Sequence, residues 1–267
     1  MFLVDTHCHL DDYRFDKYRS LIIQEACNKG IKKIIIPSIS VNNFEKVSNL
    51  AINQGLFYTL GIHPMSINQG SVNNDLLVLY NYVKKSKNFH ANFVGIGEIG
   101  LDFYDPMNDD CIDLQKKIFI EQLHIAEEFS LPVILHARKS HDVMLKILRS
   151  RKKISGGIVH AFNGSYQQAL CFIKLGFLLG IGSSITYKKS SKIRKNALDI
   201  SLENLVLETD SPYMEPFWKS SYDWGISSPC ELFKIAIELS NIKNCSVDQV
   251  IRYTTENILR IIPQMAF

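Results

Sequence analysis

The chain has 267 residues, 46% of them hydrophobic, and a formal net charge of +3, which permits an anionic substrate without requiring one. It shows no signal-peptide pattern and no membrane-length apolar run, and its six cysteines include no C-x-x-C pair, which excludes a membrane-spanning protein and a disulfide or zinc-finger scaffold. We expect one domain over residues 1–267, cytoplasmic and without membrane contact or an obligate protein partner.

Short apolar runs rich in β-branched residues alternate with segments of helical spacing along the chain. Strand and helix in strict succession predict a parallel sheet with right-handed crossovers. Eight such units in a chain of this length favour a closed (β/α)8 barrel over an open sheet. The predicted strands are residues 2–4, 31–36, 57–61, 93–96, 132–135, 157–159, 177–181 and 205–207, and residues 230–239 and 247–262 are predicted terminal helices.

Polar side chains follow most of these strands, at the end where barrel enzymes carry their reactive groups. Five of the eight histidines fall there, where random placement would leave about one. His7 and His9 are two residues apart and therefore share one face of their strand, although such a pair is a weak signal by itself. Six strand ends carry residues that can bind metal, namely His7 with His9, His63, Glu98, His136, His160 and Asp210.

The other three histidines fit structural roles. His124 lies within a predicted helix and is expected to be packed or half-exposed, and His90 lies in a polar loop. His141 follows Ser140 at a predicted helix start, where we expect it to take part in capping.

Four histidines and two carboxylates suit divalent zinc, manganese, iron, cobalt or nickel, with magnesium less suited. One ion rarely needs six such ligands, so we predict two divalent ions about 3.5–4 Å apart that activate a water for attack on phosphorus or carbonyl carbon. Glu98 is the predicted bridge between them. Asp210 is predicted to bind metal and to accept a proton from the attacking water. The alternative for Asp210, a helix N-cap, is weakened by the Ser211-Pro212 that follows.

Two basic features are candidate substrate contacts. Arg138 shares a strand face with His136 and can clamp an anionic oxygen with two hydrogen bonds, with a surface ion pair as the alternative. A basic run follows the seventh strand, near the place where barrels often bind phosphate. A solvated helix face explains this run equally well, and its members are Lys188, Lys189, Lys192, Arg194 and Lys195.

Six segments spread over nearly the whole chain resemble the TatD family of metal-dependent deoxyribonucleases. They are residues 4–10 (VDTHCHL), 61–64 (GIHP), 97–102 (GEIGLD), 132–138 (PVILHAR), 159–162 (VHAF) and 207–213 (LETDSPY). Residues 139–142 and 180–187 resemble its YjjV-like branch. The resemblance implies an amidohydrolase-type TIM-like barrel, a divalent metal centre (zinc, manganese or magnesium) and hydrolysis of DNA, commonly as a 3′→5′ exonuclease. It implies the same six metal ligands and phosphate contacts from His63 and Arg138. We expect Asp210, Glu98 and His63 to be the catalytic residues.

One departure from the family pattern follows the last strand. Ser227 stands where the family usually has asparagine, which leaves the metal ligands intact but puts substrate contacts or loop packing on that side in doubt. Trp218 and Trp224 in this loop can stack on a base, and packing under the loop is the alternative.

Three hypotheses for the function follow. The first is a phosphodiesterase acting on DNA ends. The second is a deacylase or amidohydrolase acting on aminoacyl-tRNA or a small amide, because fold and metal centre do not choose the electrophile. The third is a noncatalytic nucleic-acid-binding or scaffold protein, against which the intact set of six ligands argues, since crowded buried polar groups are costly without metal.

Overall fold

The computed structural model describes residues 1–218 and 225–266, and within them eight strands alternate with helices. The strands are β1 (Leu3–Asp5), β2 (Ile31–Pro37), β3 (Phe57–Leu60), β4 (Phe93–Asp102), β5 (Val133–Arg138), β6 (Gly157–Val159), β7 (Phe177–Ile181) and β8 (Leu205–Leu207). The α-helices are α1 (Arg19–Asn28), α2 (Phe44–Gln54), α3 (Val72–Phe89), α4 (Asp109–Glu128), α5 (His141–Arg149), α6 (Tyr166–Lys174), α7 (Ser191–Asp199), α8 (Leu232–Lys243) and α9 (Val247–Ile261).

All strands are parallel, and their order in the sheet is their order in the chain. The last strand returns beside the first, where the Thr6 N–H donates to the Leu207 carbonyl at 3.0 Å and the Asp210 N–H donates to the His7 carbonyl at 2.8 Å. The predicted (β/α)8 barrel is therefore confirmed. This closure also brings the loop after β8 against the end of β1.

A hydrophobic cluster fills the inside of the barrel. It contains one residue from each of the eight strands, and these residues alternate along the strands with those that face the outer helices, as Ile35 does between Ile34 and Ile36. Because successive side chains on a strand point to opposite faces, the eight residues lie on the inner face of the closed sheet. Three residues of the C-terminal segment complete the cluster, so α9 and the residues after it cover the amino-terminal end of the barrel. The members are Val4, Ile35, Phe57, Val94, Ile134, Ile158, Leu178, Val206, Ile258, Ile262 and Met265.

The outer helices begin and end at recognisable signals. Ser165 and Ser246 form capping boxes at the starts of α6 and α9, and α2 ends at Gly55, whose φ of 66° favours glycine. Their apolar faces pack on the outer surface of the sheet and form the larger hydrophobic cluster. Among residues 1–218 and 225–266, no helix is both long and apolar enough to span a membrane.

Two strands run further than their apolar residues predict. β4 continues from Ile96 to Asp102 and β5 from Leu135 to Arg138, because the two strands stay paired through Gly100–His136 and Asp102–Arg138. The polar residues that seemed to end these strands therefore lie on rigid extended backbone. The predicted helix at 230–239 is a 3-10 turn (Pro229–Glu231) followed by α8, which extends to Lys243.

Candidate metal centre

The predicted ligands meet at the carboxyl ends of the strands. A cavity of about 360 Å³ opens there, and His7 lies fully buried beneath it. Its wall includes five of the six predicted ligands together with His63 and Arg138. The five are His9, Glu98, His136, His160 and Asp210.

Glu98 lies at the centre of this arrangement. Its Oε2 atom is 3.2 Å from His7 Nε2 and 3.5 Å from His9 Nε2. Its Oε1 atom is 2.8 Å from His136 Nδ1 and 3.5 Å from His160 Nε2. Burial opposes ionisation of this carboxyl, but the surrounding histidines, His7 foremost, hold its pKa well below the usual value. The two oxygens of this carboxylate thus face two different groups of imidazoles, His7 and His9 at one oxygen and His136, His160 and also His63 at the other.

Asp210 faces the same centre from the loop after β8. Its Oδ1 atom is 3.5 Å from His9 Nε2, and its Oδ2 atom is 3.9 Å from His160 Nε2. Its φ of 52° lies in the left-handed region, which aspartate tolerates better than most residues. Burial raises the pKa of Asp210. The charge of His160 and the hydrogen bond with His9 lower the pKa by a larger amount, so the net pKa is below the usual value. The group is therefore ionised at neutral pH.

Among the described residues, three overlapping groups have donor atoms within 4.8 Å of one another and can hold a metal ion. The structure thus brings all six predicted ligands together, and it adds His63 to one group. The groups are His7 with His160 and Asp210, His7 with His9 and Glu98, and His63 with Glu98 and His136.

The hydrogen bonds of His63 indicate a different use for this residue. The Met65 N–H donates to His63 Nδ1 at 3.1 Å, so Nδ1 is the unprotonated nitrogen of a neutral ring. Burial lowers the pKa of His63, which keeps the ring neutral. Nε2 then carries the hydrogen, 3.5 Å from Glu98 Oε1. This arrangement favours a hydrogen-bond donor to the cavity over a metal ligand.

Asp102 is a site residue that the sequence analysis did not single out. Its Oδ2 atom is 3.0 Å from His136 Nε2, which leaves Nδ1 of that ring free to bind a metal. Burial lowers the pKa of His136, but Asp102 and Glu98 raise it more. The other carboxylate oxygen of Asp102, Oδ1, accepts a hydrogen bond from the Tyr104 N–H at 2.9 Å. Asp102 therefore orients a predicted ligand from the end of β4.

Glu208 is a second missed residue, and it supports His160. Its Oε1 atom is 3.3 Å from His160 Nδ1 and accepts the Ala161 N–H at 2.5 Å. Burial lowers the pKa of His160, but the charges of Asp210 and Glu208 raise it to about 9. A β-carbon at Gly180 would overlap the Glu208 carboxylate, so glycine is needed there to make room for it.

Asp5 is the third missed residue. The carboxyl group of Asp5 accepts a hydrogen bond from the Thr209 N–H at 3.0 Å and one from the Thr209 hydroxyl at 2.7 Å. The His7 N–H lies 3.3 Å from the same carboxyl group. Burial raises the pKa of Asp5 to about 8. The carboxyl joins the ends of β1 and β8 and thereby positions His7 beside Asp210. All three missed residues lie within the family-like segments, but no spacing pattern marks them.

Arg138 reaches the cavity with its charged end. Its guanidinium carbon is 3.6 Å from the centroid of the Tyr104 ring, and one nitrogen is 3.9 Å from Asp102 Oδ2. The side chain is 44% exposed. It lines the first cavity and also a second one of about 390 Å³, whose wall includes Asn163 and Ser184. Arg138 thus has both features, an ion pair with Asp102 and a place in the wall of the two cavities.

Within the basic run after β7, Arg194 has a structural role. Arg194 forms a 2.5 Å ion pair with Glu238 and also donates to the Ile185 carbonyl, so it holds α7 to its neighbours. The second cavity is lined from this neighbourhood by Ser184 and Ile193 rather than by a basic side chain.

The remaining histidines lie away from the cavity. The predicted capping role of His141 is wrong: its ring is buried edge-on against Phe162 and Phe172 at the start of α5. His90 is hydrogen bonded to the Tyr58 hydroxyl at 2.6 Å, and His124 is exposed on α4.

Ser227 takes part in packing the loop after β8. Its hydroxyl is 3.0 Å from the Ser211 hydroxyl and donates to the Met214 carbonyl at 3.2 Å. Trp218 donates its indole N–H to Glu231 at 2.7 Å, which favours packing under the loop over base stacking. Trp224 lies outside the described residues.

Comparison with known proteins gives one family. The family profile described as TatD related DNase matches residues 4–263. The metal-dependent hydrolase YjjV of Escherichia coli K12 is 38% identical over 79% of this chain and 80% of its own length. A metal-dependent hydrolase of Haemophilus influenzae is 32% identical over 98% of this chain and 99% of its own. The crystal structure of YjjV, a TatD homologue, superimposes with a TM-score of 0.85, with 32% identity and 98% coverage of both chains.

These matches confirm the resemblance found in the sequence, and the profile match spans the barrel and the residues of the centre. The chain belongs to the TatD family of metal-dependent hydrolases.

Proposed function

We propose that this protein removes nucleotides from the 3′ end of DNA by phosphodiester hydrolysis at a two-ion centre. The observation that carries the proposal is the position of Glu98, whose Oε2 faces His7 and His9 while its Oε1 faces a separate group of histidines that includes His136 and His160. A carboxylate with this placement is suited to bridge two ions. The family description, TatD related DNase, supports DNA as the substrate, and the resemblance of the sequence motifs supports the 3′→5′ direction.

The donor set fits two ions of borderline character such as zinc or manganese, with magnesium the weaker match to so many imidazoles. One ion would be held by His7, His9, Glu98 and Asp210, and the other by Glu98, His136 and His160. When bound, the ions supply an activated water and neutralise charge on the phosphoryl oxygens.

The side chains around the ions orient the substrate and move protons. Asp210 is ionised and directed into the cavity, where it can accept the proton of the attacking water. The Nε2–H of His63 donates to a phosphate oxygen, and the Arg138 guanidinium offers a second, charged contact at the junction of the two cavities. Holding the phosphate in this way aligns it for in-line attack.

The test is an assay of chelator-stripped protein, with and without added Mn²⁺ or Zn²⁺, on a single-stranded oligonucleotide labelled at its 5′ end. Asp210→Asn and the exposed-site control Asp113→Asn are assayed in parallel. The proposal requires a metal-dependent ladder that shortens from the 3′ end, which Asp113→Asn retains and Asp210→Asn loses.

The same preparation decides the rival function. The second candidate is the deacylase or amidohydrolase, which would use the same water and Asp210 on a carbonyl carbon. Metal-dependent release of the amino acid from aminoacyl-tRNA, with the oligonucleotide left intact, would replace the nuclease proposal by this one. We expect the protein to act in the cytoplasm and without an obligate protein partner.

A further inference from the structure

Tyr213 lies at the rim that the two cavities share. It follows Asp210 by three residues, and its N–H donates to the Asp210 carbonyl at 2.8 Å, so a tight turn places it beside the metal centre. Tyr213 lines both cavities and is 54% exposed. An exposed aromatic ring in this position is not needed for the hydrophobic core.

The ring is held in place from below. Its hydroxyl donates to Asp12 Oδ2 at 3.1 Å. The Arg14 guanidinium donates two hydrogen bonds, of 2.8 and 2.9 Å, to the same carboxylate. The guanidinium carbon lies 4.6 Å from the centroid of the Tyr213 ring. Arg14 lowers the pKa of Asp12 to about 2, so this carboxylate stays an acceptor over the working range of pH. Tyr213 is therefore fixed before any substrate arrives.

The ring also touches the centre directly. His9 and Tyr213 meet edge to face, with ring centroids 5.2 Å apart and planes at 82°. A group packed on the exposed surface of Tyr213 is thus next to a phosphate held over Glu98 and Asp210. Nucleobases stack on exposed aromatic side chains regardless of sequence, and a fixed ring loses little freedom when they do so.

We propose that Tyr213 is the surface on which the base of the terminal nucleotide stacks, and that it thereby selects nucleic-acid ends over other phosphodiesters. This inference rests on the proposed nuclease function. It predicts that the base itself, which is remote from the bond that breaks, strengthens binding and raises kcat/KM mainly through a lower KM.

The test uses two oligonucleotides labelled at the 5′ end that differ only at the 3′-terminal residue, which is thymidine in one and an abasic tetrahydrofuran residue in the other. Wild type is expected to remove the thymidine with a kcat/KM about tenfold higher. Tyr213→Leu is expected to bring this ratio close to one, whereas Tyr213→Phe, which keeps the ring, retains most of it. Tyr166→Leu, at an exposed tyrosine on α6, is the control and should leave the ratio unchanged.

The possible results separate the inference about Tyr213 from the nuclease function. A wild-type ratio near one overturns the inference, even if Tyr213→Leu does not fold, and so does a ratio that Tyr213→Leu leaves unchanged. Failure of wild type to cleave either oligonucleotide with any metal overturns the nuclease function, and the inference with it. Cleavage of both oligonucleotides at equal rates leaves the nuclease function standing and removes only the role of Tyr213.

Discussion

The carboxylate of Asp102 lies 3.0 Å from Nε2 of His136, on the side of the ring away from Glu98. This contact holds the hydrogen on Nε2 and directs Nδ1 into the centre. Partners of this kind typically contribute about 10–100-fold to metal affinity. We predict that Asp102→Asn weakens binding of the ion that Glu98, His136 and His160 would hold by about this factor, without changing the fold.

Metal affinity is measured by competition with a chromophoric chelator, and folding by circular dichroism. Asp113→Asn, at an exposed carboxylate on α4, should bind metal as wild type does. Equal affinities for wild type and Asp102→Asn would show that His136 needs no such partner.

A substitution at Gly180 tests whether the Glu208 carboxylate supports His160. An alanine β-carbon at this position would overlap the Glu208 carboxylate, which must then move away from Ala161 and His160. We expect Gly180→Ala to lower the free energy of unfolding by about 1–3 kcal/mol, as forced repacking usually does, and to weaken metal binding as well. Denaturant unfolding and metal titration measure the two effects. Gly70→Ala is the control, because its β-carbon would meet nothing closer than 3.5 Å, and an equal effect in both variants would refute the prediction.

His141 makes stability depend on pH. Burial lowers its pKa to about 4, whereas the unfolded chain titrates near 6.5. Between these values the unfolded state binds a proton that the folded state does not, so the free energy of unfolding falls as the pH falls through this window. His141→Phe removes the titrating group and keeps a ring against Phe162 and Phe172.

Denaturant titrations at pH 7 and pH 4.5 compare the variants. The loss of stability between the two pH values should be smaller in His141→Phe than in wild type and should be unchanged in His124→Gln, at an exposed site on α4. Wild type and His141→Phe share every other titratable group, so the difference between them reports on His141. An identical loss in wild type and His141→Phe would mean that His141 is protonated without cost.

The amino-terminal end of the barrel should matter for stability alone. Ile258 of α9 is fully buried in the cluster that contains one residue of every strand. Truncation at such a site typically costs about 2–5 kcal/mol. Ile258→Ala should therefore lower the free energy of unfolding by this amount while metal affinity stays at the wild-type value, and Ile237→Ala, at a 38% exposed site on α8, should change little. A loss of metal affinity in folded Ile258→Ala would contradict this separation.

The order of strands and the meeting of the predicted ligands could be read from the sequence, because apolar β-branched runs alternate with helical spacing and polar groups follow six of the runs. Glu98 is an example: its position after the fourth run was enough to place it among the histidines. That inference needs only the rule that the carboxyl ends of parallel strands meet at one edge.

The supporting carboxylates could not be read in this way. Asp5 and Thr209 are 204 residues apart, and their hydrogen bond exists only because the barrel closes. Asp102 reaches His136 because β4 continues past its apolar residues by pairing with β5. His141 looked like a capping residue because the rings that bury it, Phe162 and Phe172, belong to later elements. In each case a contact between distant segments decided the role.

Titration of chelator-stripped protein with Mn²⁺, with bound metal and DNA cleavage followed in the same samples, tests the two-ion centre most directly. We predict two equivalents of bound metal, with cleavage appearing as the second equivalent binds, and in Glu98→Gln the loss of both the second equivalent and the cleavage. Full cleavage with one equivalent bound, or cleavage that survives complete removal of metal, would contradict the account.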